Sequence, residues 1–383
     1  MYLFLLGRDP KLSKLEIAIY FYKNNIKYEI LEEQDKYLLI KTKINPKKTI
    51  EELAGTTKII EMYQQSKEID IKFLDKIEYN KHKFNFSFSS INLPKEEVLY
   101  IENLLKDYFK KEKTKAVYKK PKKHTKNEKN YIVNPNNYYS WKLYEGFELF
   151  ILFLNKNYYF GLTKACFNPK ENIYKDKHMP KRKNLYSTSL RIADIMINLL
   201  GCTNKTTIVD PFCGTGTFLV EALLKGHDVI GIDQEKQMCR YAKENIEWIK
   251  ENIGKYQIIC GDSGKIKFKA DCAVFEPYMG PFLKKMPSEK KARKTVKNLE
   301  KIYYFVFRNL SKNLKKKAKV VCILPEIPKY EGSIKISTRV FYENGFKLEN
   351  VQKYSNMKLE NPITYDTPDG SRIIRKIYLL EKR

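Results

Sequence analysis

The chain has 383 residues, 43% of them hydrophobic, and at roughly 100 to 200 residues per domain it should hold two or three domains. Lys and Arg total 73 against 45 Asp and Glu, a formal net charge of +28. That excess suits a polyanion such as nucleic acid or an anionic membrane, although a lysine-rich chain also follows from an A/T-biased genome or growth at high temperature. The seven cysteines are scattered with no C-x-x-C pair, which points to reduced core thiols in a cytosolic protein and away from a structural zinc or a disulfide scaffold. No membrane span is expected, because the longest apolar stretch, residues 146–162, is broken by Glu148, Asn155 and Lys156. The opening MYLFLLGRDPKLSK has too short an apolar run and lacks the small-residue cleavage site of a secretory signal.

In chain order, residues 1–80 read as a small α+β module: a strand at 2–6, a helix at 13–24, and strands near 28–31 and 36–41. A second module is expected over 81–165. It opens on the alternating run Lys83-Phe84-Asn85-Phe86-Ser87-Phe88, continues through a helix at 95–111, and ends in Tyr- and Phe-rich strands that reach residue 162. Between helix and strands lies the basic run Lys119-Lys120-Pro121-Lys122-Lys123-His124-Thr125-Lys126. Its side chains could follow phosphates, or could simply form a solvated loop. Residues 166–187, with Pro169 and Pro180, read as a linker. From 188 to 383 strand and helix alternate, the signature of a mostly parallel sheet covered on both faces. Strands are expected at 207–212, 228–233, 257–261, 272–275 and 318–324, then an antiparallel pair at 346–354 and 373–381.

The first of these strands runs into Asp210-Pro211-Phe212-Cys213-Gly214-Thr215-Gly216-Thr217, a glycine-rich turn opening a helix. Glycines there let backbone approach a ligand closely. The pattern lacks the third glycine of a dinucleotide fingerprint and the lysine of a P-loop. An acid at the strand end instead suits a sulfonium cofactor, whose ammonium Asp210 could receive. Asp233 ends the next strand, where such sheets present a carboxylate to ribose hydroxyls. Asp262-Ser263 follows the third, placed to meet an adenine amino group. Each acid alone could be a turn or cap residue; three at successive strand ends are harder to read that way.

The fourth strand ends in Glu276-Pro277-Tyr278-Met279-Gly280-Pro281. Methylating an exocyclic amine requires its ring-delocalised lone pair to be freed, which a carboxylate and a backbone carbonyl accepting the N–H bonds achieve, while an aromatic ring stacks on the extruded base. Methylation at a pyrimidine carbon would want a cysteine nucleophile here, and none is present. Lys284 and Lys285, with Lys290, Lys291, Arg293 and Lys294, follow directly and could clamp a nucleic-acid backbone.

On these motifs the second half resembles the class I S-adenosylmethionine-dependent methyltransferases, with Asp210, Phe212, Gly214, Gly216, Thr217, Asp233, Asp262 and Ser263 in the cofactor positions. The stretch from Glu276 resembles the amino-methyltransferase motif of Asp or Asn, two prolines and an aromatic, which implies catalytic roles for Glu276, Pro277 and Tyr278. Tyr278 replaces the second proline and Met279 takes the aromatic place, so Tyr278 or Phe282 is the expected stacking partner. The front half is similar to THUMP-containing RNA-modification enzymes through Gly7-Arg8-Asp9-Pro10 and Leu53-Ala54-Gly55-Thr56. Over nearly the whole chain the resemblance is to archaeal and eukaryotic tRNA guanosine N2-methyltransferases acting at position 10, with Lys175-Asp176-Lys177-His178-Met179-Pro180 and Asn361-Pro362-Ile363-Thr364-Tyr365 among the echoes. It implies an α/β fold, with a Rossmann-like domain of seven strands behind ferredoxin-like and THUMP modules. It further implies S-adenosylmethionine as cofactor and no metal, tRNA as partner held by Lys119, Lys120, Lys122, Lys123, Lys284 and Lys285, a cytoplasmic setting, and for some relatives a small zinc-binding activator. A DNA amino-methyltransferase and a catalytically weak RNA-binding subunit are the alternatives.

Overall fold

The computed structural model of the chain describes residues 1–76, 83–112, 115–121, 130–181, 188–249, 254–365 and 372–383. The front half runs β1 (Tyr2–Leu6), α1 (Pro10–Lys23), β2 (Tyr28–Glu33), β3 (Tyr37–Thr42), α2 (Pro46–Glu52), β4 (Thr56–Ser66), β5 (Lys83–Ile91), α3 (Lys95–Lys111), β6 (Lys115–Tyr118), α4 (Pro135–Ser140), β7 (Phe147–Leu154) and β8 (Asn157–Cys166). The second half runs α5 (Pro169–His178), α6 (Leu190–Leu199), β9 (Thr207–Asp210), α7 (Thr217–Leu224), β10 (Asp228–Asp233), α8 (Lys236–Glu247), β11 (Tyr256–Cys260), β12 (Cys272–Phe275), α9 (Glu289–Asn313), β13 (Lys319–Pro328), β14 (Ser333–Lys335), α10 (Arg339–Tyr342), β15 (Phe346–Leu348), β16 (Ile363–Tyr365) and β17 (Ile374–Lys382).

Two compact units result. The first holds residues 1–7, 26–52 and 56–171, and all its strands join one sheet in the order β2-β3-β1-β4-β8-β7-β5-β6. The boundary expected near residue 80 therefore falls between two strands, β4 and β5, of a single sheet. Phe84, Phe86 and Phe88, alternating along β5 as their spacing predicts, enter a core with Phe109 of α3 and Phe147 of β7. α3 carries Glu96 and Glu97 in its first turn and Lys110 and Lys111 in its last, complementing the helix dipole.

The second unit holds residues 8–25, 53–55 and 172–383. α1 belongs to it although it follows β1 in the chain. Buried Glu16 accepts from the amides of Ala54 (2.9 Å) and Gly55 (2.7 Å) and from Asn198 Nδ2 (2.7 Å). Arg191 Nε donates to the Ala54 carbonyl at 3.0 Å, and Lys11 reaches Glu360 at 2.7 Å. The expected linker contains α5, whose Lys175 pairs with buried Glu221 of α7 at 2.9 Å. The large sheet has nine strands, seven along β11-β10-β9-β12-β13-β17-β15, with β14 beside β13 and β16 beside β17. β11 through β13 are parallel, while β17 runs antiparallel to both β13 and β15. The seven-strand, mostly parallel arrangement is thus present with two short strands added, and the second half of the expected strand at 346–354 is a short 3-10 turn, Val351–Tyr354.

Packing of α8 along β10 and β11 brings Cys239 and Cys260 within 6.0 Å Cα to Cα, a meeting that their separation of 21 positions does not signal locally. Among the described residues no helix is long and apolar enough to cross a membrane.

Candidate active site

In a doubly wound sheet ligands meet the carboxyl ends of the parallel strands, and the acids singled out from the sequence sit there. β9 is buried along Ile208, Val209 and Asp210, and the chain then turns through Gly214 (φ +50°) and Gly216 (φ +84°) into α7. Both values lie in the left-handed region that glycine alone adopts without strain. At Gly216 a Cβ would also stand 3.2 Å from Ala242 Cβ.

Asp210 is 1% exposed. Its Oδ1 accepts from the Phe212 amide at 2.9 Å, whereas its Oδ2 is buried without a hydrogen-bond partner among the described residues. Burial holds this carboxyl well above the ordinary range, the Phe212 amide opposes the shift, and the charges of Asp233 and Glu276 add to it. Asp233 is the tie between strand and loop: Oδ2 accepts from Gly214 N at 3.0 Å and Oδ1 from Glu235 N at 2.9 Å. Asp262, by contrast, is exposed and shapes its own turn, accepting from Gly264 N at 2.9 Å and pairing with Lys265 at 3.1 Å. The Gly264 amide holds its carboxyl below the usual range, against the effect of burial and together with Lys265. The Ser263 carbonyl accepts from Asn309 of α9 at 2.8 Å. Thr217, buried, opens α7, and Phe212 packs on Phe275 with ring centroids 5.9 Å apart.

At the end of β12 stands Glu276. Its Oε1 accepts from Arg375 Nε at 3.0 Å, and its Oε2 accepts from the Thr188 hydroxyl. Arg375 comes from the start of β17; because β17 is antiparallel, its first residues lie at the carboxyl end of β13, where Arg375 registers with Pro325. Pro277 is buried, Tyr278 is 56% exposed and Phe282 66%. Tyr303, fully buried on α9, donates to the Tyr278 carbonyl at 2.6 Å and so anchors the loop from behind. Its hydroxyl is pushed well above its usual pKa, first by burial, and remains a donor. Lys284 and Lys285 are exposed just beyond.

The remaining predicted contacts lie in the first unit. Lys120 is tied to Glu102 at 2.7 Å, Lys119 donates its amide to the Phe86 carbonyl at 2.8 Å, and Lys122 and Lys123 fall outside the described residues. The motifs gave no sign of Arg375. It follows Ile374 in a strand otherwise read as closing the sheet, and only strand register carries it to Glu276. Thr188 likewise lies outside those motifs.

A doubly wound sheet with a glycine loop after its first strand, acids at successive strand ends and Glu-Pro-Tyr after the fourth defines a Rossmann-like fold with these residues gathered at the carboxyl ends of its strands. Residues 181–267 match the UPF0020 family model, described as RMKL-like, methyltransferase domain. The tRNA (guanine(10)-N2)-dimethyltransferase of Methanothermobacter thermautotrophicus is 35% identical over 125 residues, 32% of this chain and 37% of that protein. The enzyme of the same name from Pyrococcus abyssi is 44% identical over 77 residues, 20% of this chain and 22% of that protein. The matches thus span well under half the length of these curated relatives. The crystal structure of TrmN from Thermus thermophilus aligns over 100% of this chain and 99% of that one, with a TM-score of 0.53 and 12% identity, a likeness of fold.

Proposed function

We propose that the chain is an S-adenosylmethionine-dependent tRNA methyltransferase acting on the exocyclic N2 amine of a guanosine, position 10 favoured, after flipping the base out of its stack. The observation that carries the reading is Asp210: a fully buried carboxylate oxygen without a hydrogen-bond partner among the described residues, at the end of the first strand of the doubly wound sheet, fits an incoming ammonium. S-adenosylmethionine, when bound, supplies a methyl group on a positively charged sulfur, so attack by an amine lone pair breaks the sulfur–carbon bond and leaves S-adenosylhomocysteine.

The chain's residues do the rest. Asp210 receives the ammonium, Asp233 the ribose hydroxyls, and Asp262 and Ser263 flank the adenine, with Phe212, Gly214, Gly216 and Thr217 forming the floor. Glu276 accepts an N–H of the target amine, draws its lone pair out of ring conjugation, and takes the proton the amine sheds. The Pro277 carbonyl accepts the second N–H and Tyr278 stacks on the base. Lys284 and Lys285 meet the backbone beside it, and the first unit, the THUMP-like part of the resemblance, grips tRNA with Lys119, Lys120, Lys122 and Lys123. A cytoplasmic setting and a small zinc-binding activator belong to the same reading.

Incubating the protein with methyl-labelled S-adenosylmethionine and total tRNA, then digesting to nucleosides for mass spectrometry, should yield N2-methylguanosine. Label in DNA adenine instead would favour the DNA amino-methyltransferase alternative, and cofactor binding without transfer the RNA-binding subunit. Glu276→Ala should slow transfer on the order of 100- to 1000-fold while cofactor affinity holds; full turnover would make Glu276 structural.

A further inference from the structure

We propose that Glu276, Arg375 and Thr188 form a reader of the guanine edge: Glu276 accepts both the ring N1–H and one N2–H of the target base, and Arg375 and Thr188 are positioning residues that fix its carboxylate plane. The inference rests on the guanine reading above and adds what selects the base. A carboxylate only accepts hydrogen bonds, at about four lone-pair positions. Among the described residues, Arg375 Nε engages Oε1 at 3.0 Å and Thr188 engages Oε2. Each oxygen keeps a lone pair, and two side-by-side acceptors match two side-by-side donors.

Of the standard bases only guanine offers that pair, N1–H beside N2–H. Adenine and cytosine place a ring nitrogen lone pair beside their amine, which a fixed carboxylate opposes. Fixing is the essential point. A glutamate free about its side-chain torsions would turn one oxygen toward any amine and lose the discrimination. Here donors from two separate elements, β17 and the segment before α6, hold both oxygens, and Glu276 and Arg375 are only 16% and 14% exposed. The pairing also accounts for the longer acid where the resembling motif has Asp or Asn: the residue reaches Arg375 and Thr188 as well as the base.

The test compares guanine with 2-aminopurine at the methylated position of one tRNA transcript, the position having been located by nucleoside mass spectrometry on total tRNA. 2-Aminopurine keeps the N2 amine and converts N1 from donor to acceptor. For the unaltered protein kcat/KM should fall roughly 10- to 100-fold on that change, the worth of one charged hydrogen bond. Glu276→Gln, whose amide can accept from N2 and donate to N1, should narrow or reverse the ratio. Arg375→Ala and Thr188→Val should lower kcat and flatten the ratio with the KM for RNA little changed, and Arg375→Lys and Thr188→Ser should recover part of both. Unchanged S-adenosylmethionine binding establishes that each variant is folded. Guanosine N2-methylation with the same ratio in the unaltered protein and Glu276→Gln overturns this inference alone; no N2-methylation of guanosine in any tRNA overturns it together with the functional reading.

Discussion

In the eight-stranded sheet, Glu148 of β7 is fully buried and accepts from Lys58 Nζ at 2.6 and 2.5 Å, from the Thr163 hydroxyl at 2.8 Å and from the Ser89 hydroxyl. In the nine-stranded sheet, Asp210 of β9 is buried almost as deeply, yet one of its oxygens meets no donor among the described residues. A buried charge is tolerated when its lone pairs are satisfied, and an unsatisfied one is costly. The first carboxylate is therefore complete as it stands and organises a core; the second is incomplete, and an ammonium-bearing ligand would complete it. Depth of burial does not separate these two acids. Satisfaction of their oxygens does.

The largest expected effect tests the binding side of this contrast. Asp233→Ala should weaken S-adenosylmethionine binding by on the order of 3 to 6 kcal/mol, two charged hydrogen bonds at about 1.5 to 3 each, because the carboxylate proposed to meet ribose also holds Gly214 and Glu235. Calorimetry returning an unaltered affinity would remove Asp233 from the site.

On the structural side, Lys58→Met should cost about 3 to 5 kcal/mol of folding stability, since it strands Glu148 in a dry interior. Adding Glu148→Leu should restore most of the loss. Denaturant unfolding of the single and double variants measures both, and a single variant as stable as the unaltered chain would mean that the network contributes little.

A smaller effect concerns pH. Burial raises the folded pKa of Asp210 well above 3.8, so the free protein keeps its proton to higher pH than an ordinary carboxyl does, and pairing with an ammonium must expel it. Cofactor affinity should accordingly rise with pH, by up to about one log unit per pH unit, and Asp210→Asn should flatten the rise. For the same reason ionising Asp210 destabilises the free fold: its contribution is full below about pH 3.8 and is lost as pH climbs toward the raised value. A pH-independent affinity in the unaltered protein would contradict this.

The smallest effect probes the first unit. Replacing Lys119, Lys120, Lys122 and Lys123 with Gln should reduce the slope of log affinity for tRNA against log salt by about one for each phosphate no longer neutralised. Lys120, held by Glu102, should contribute least. An unchanged slope would confine tRNA binding to other surfaces. Cutting the chain near residue 183 is a poor substitute for these variants, because α1 and residues 53–55 belong to the second unit and would be removed with the first.

Local pattern made much of this readable in advance. β1, β10, β12 and α3 have the bounds that alternation and periodicity indicate, and Asp210, Asp233 and Glu276 lie at strand ends because apolar runs close on an acid there. Asp262 was read by the same rule, and its side chain proves to be engaged in its own turn. Helix α5 went unrecognised because its sequence is mostly charged and its buried anchor is the Lys175–Glu221 pair, which carries no apolar periodicity.

What the sequence by itself determined was local: the glycines that permit positive φ, the order of strands and helices, and the acids at strand ends, all encoded within a few residues of one another. Tertiary structure alone decided that residues on both sides of position 80 share one sheet and that α1 leaves its neighbours for the second unit. It also decided that Cys239 meets Cys260, and that Arg375 and Thr188 close on Glu276 from sequence distances of 99 and 88 residues. The physical reason is common to these cases. Strand register and helix packing bring such groups together through hydrogen bonds and burial that leave no periodic mark on the chain.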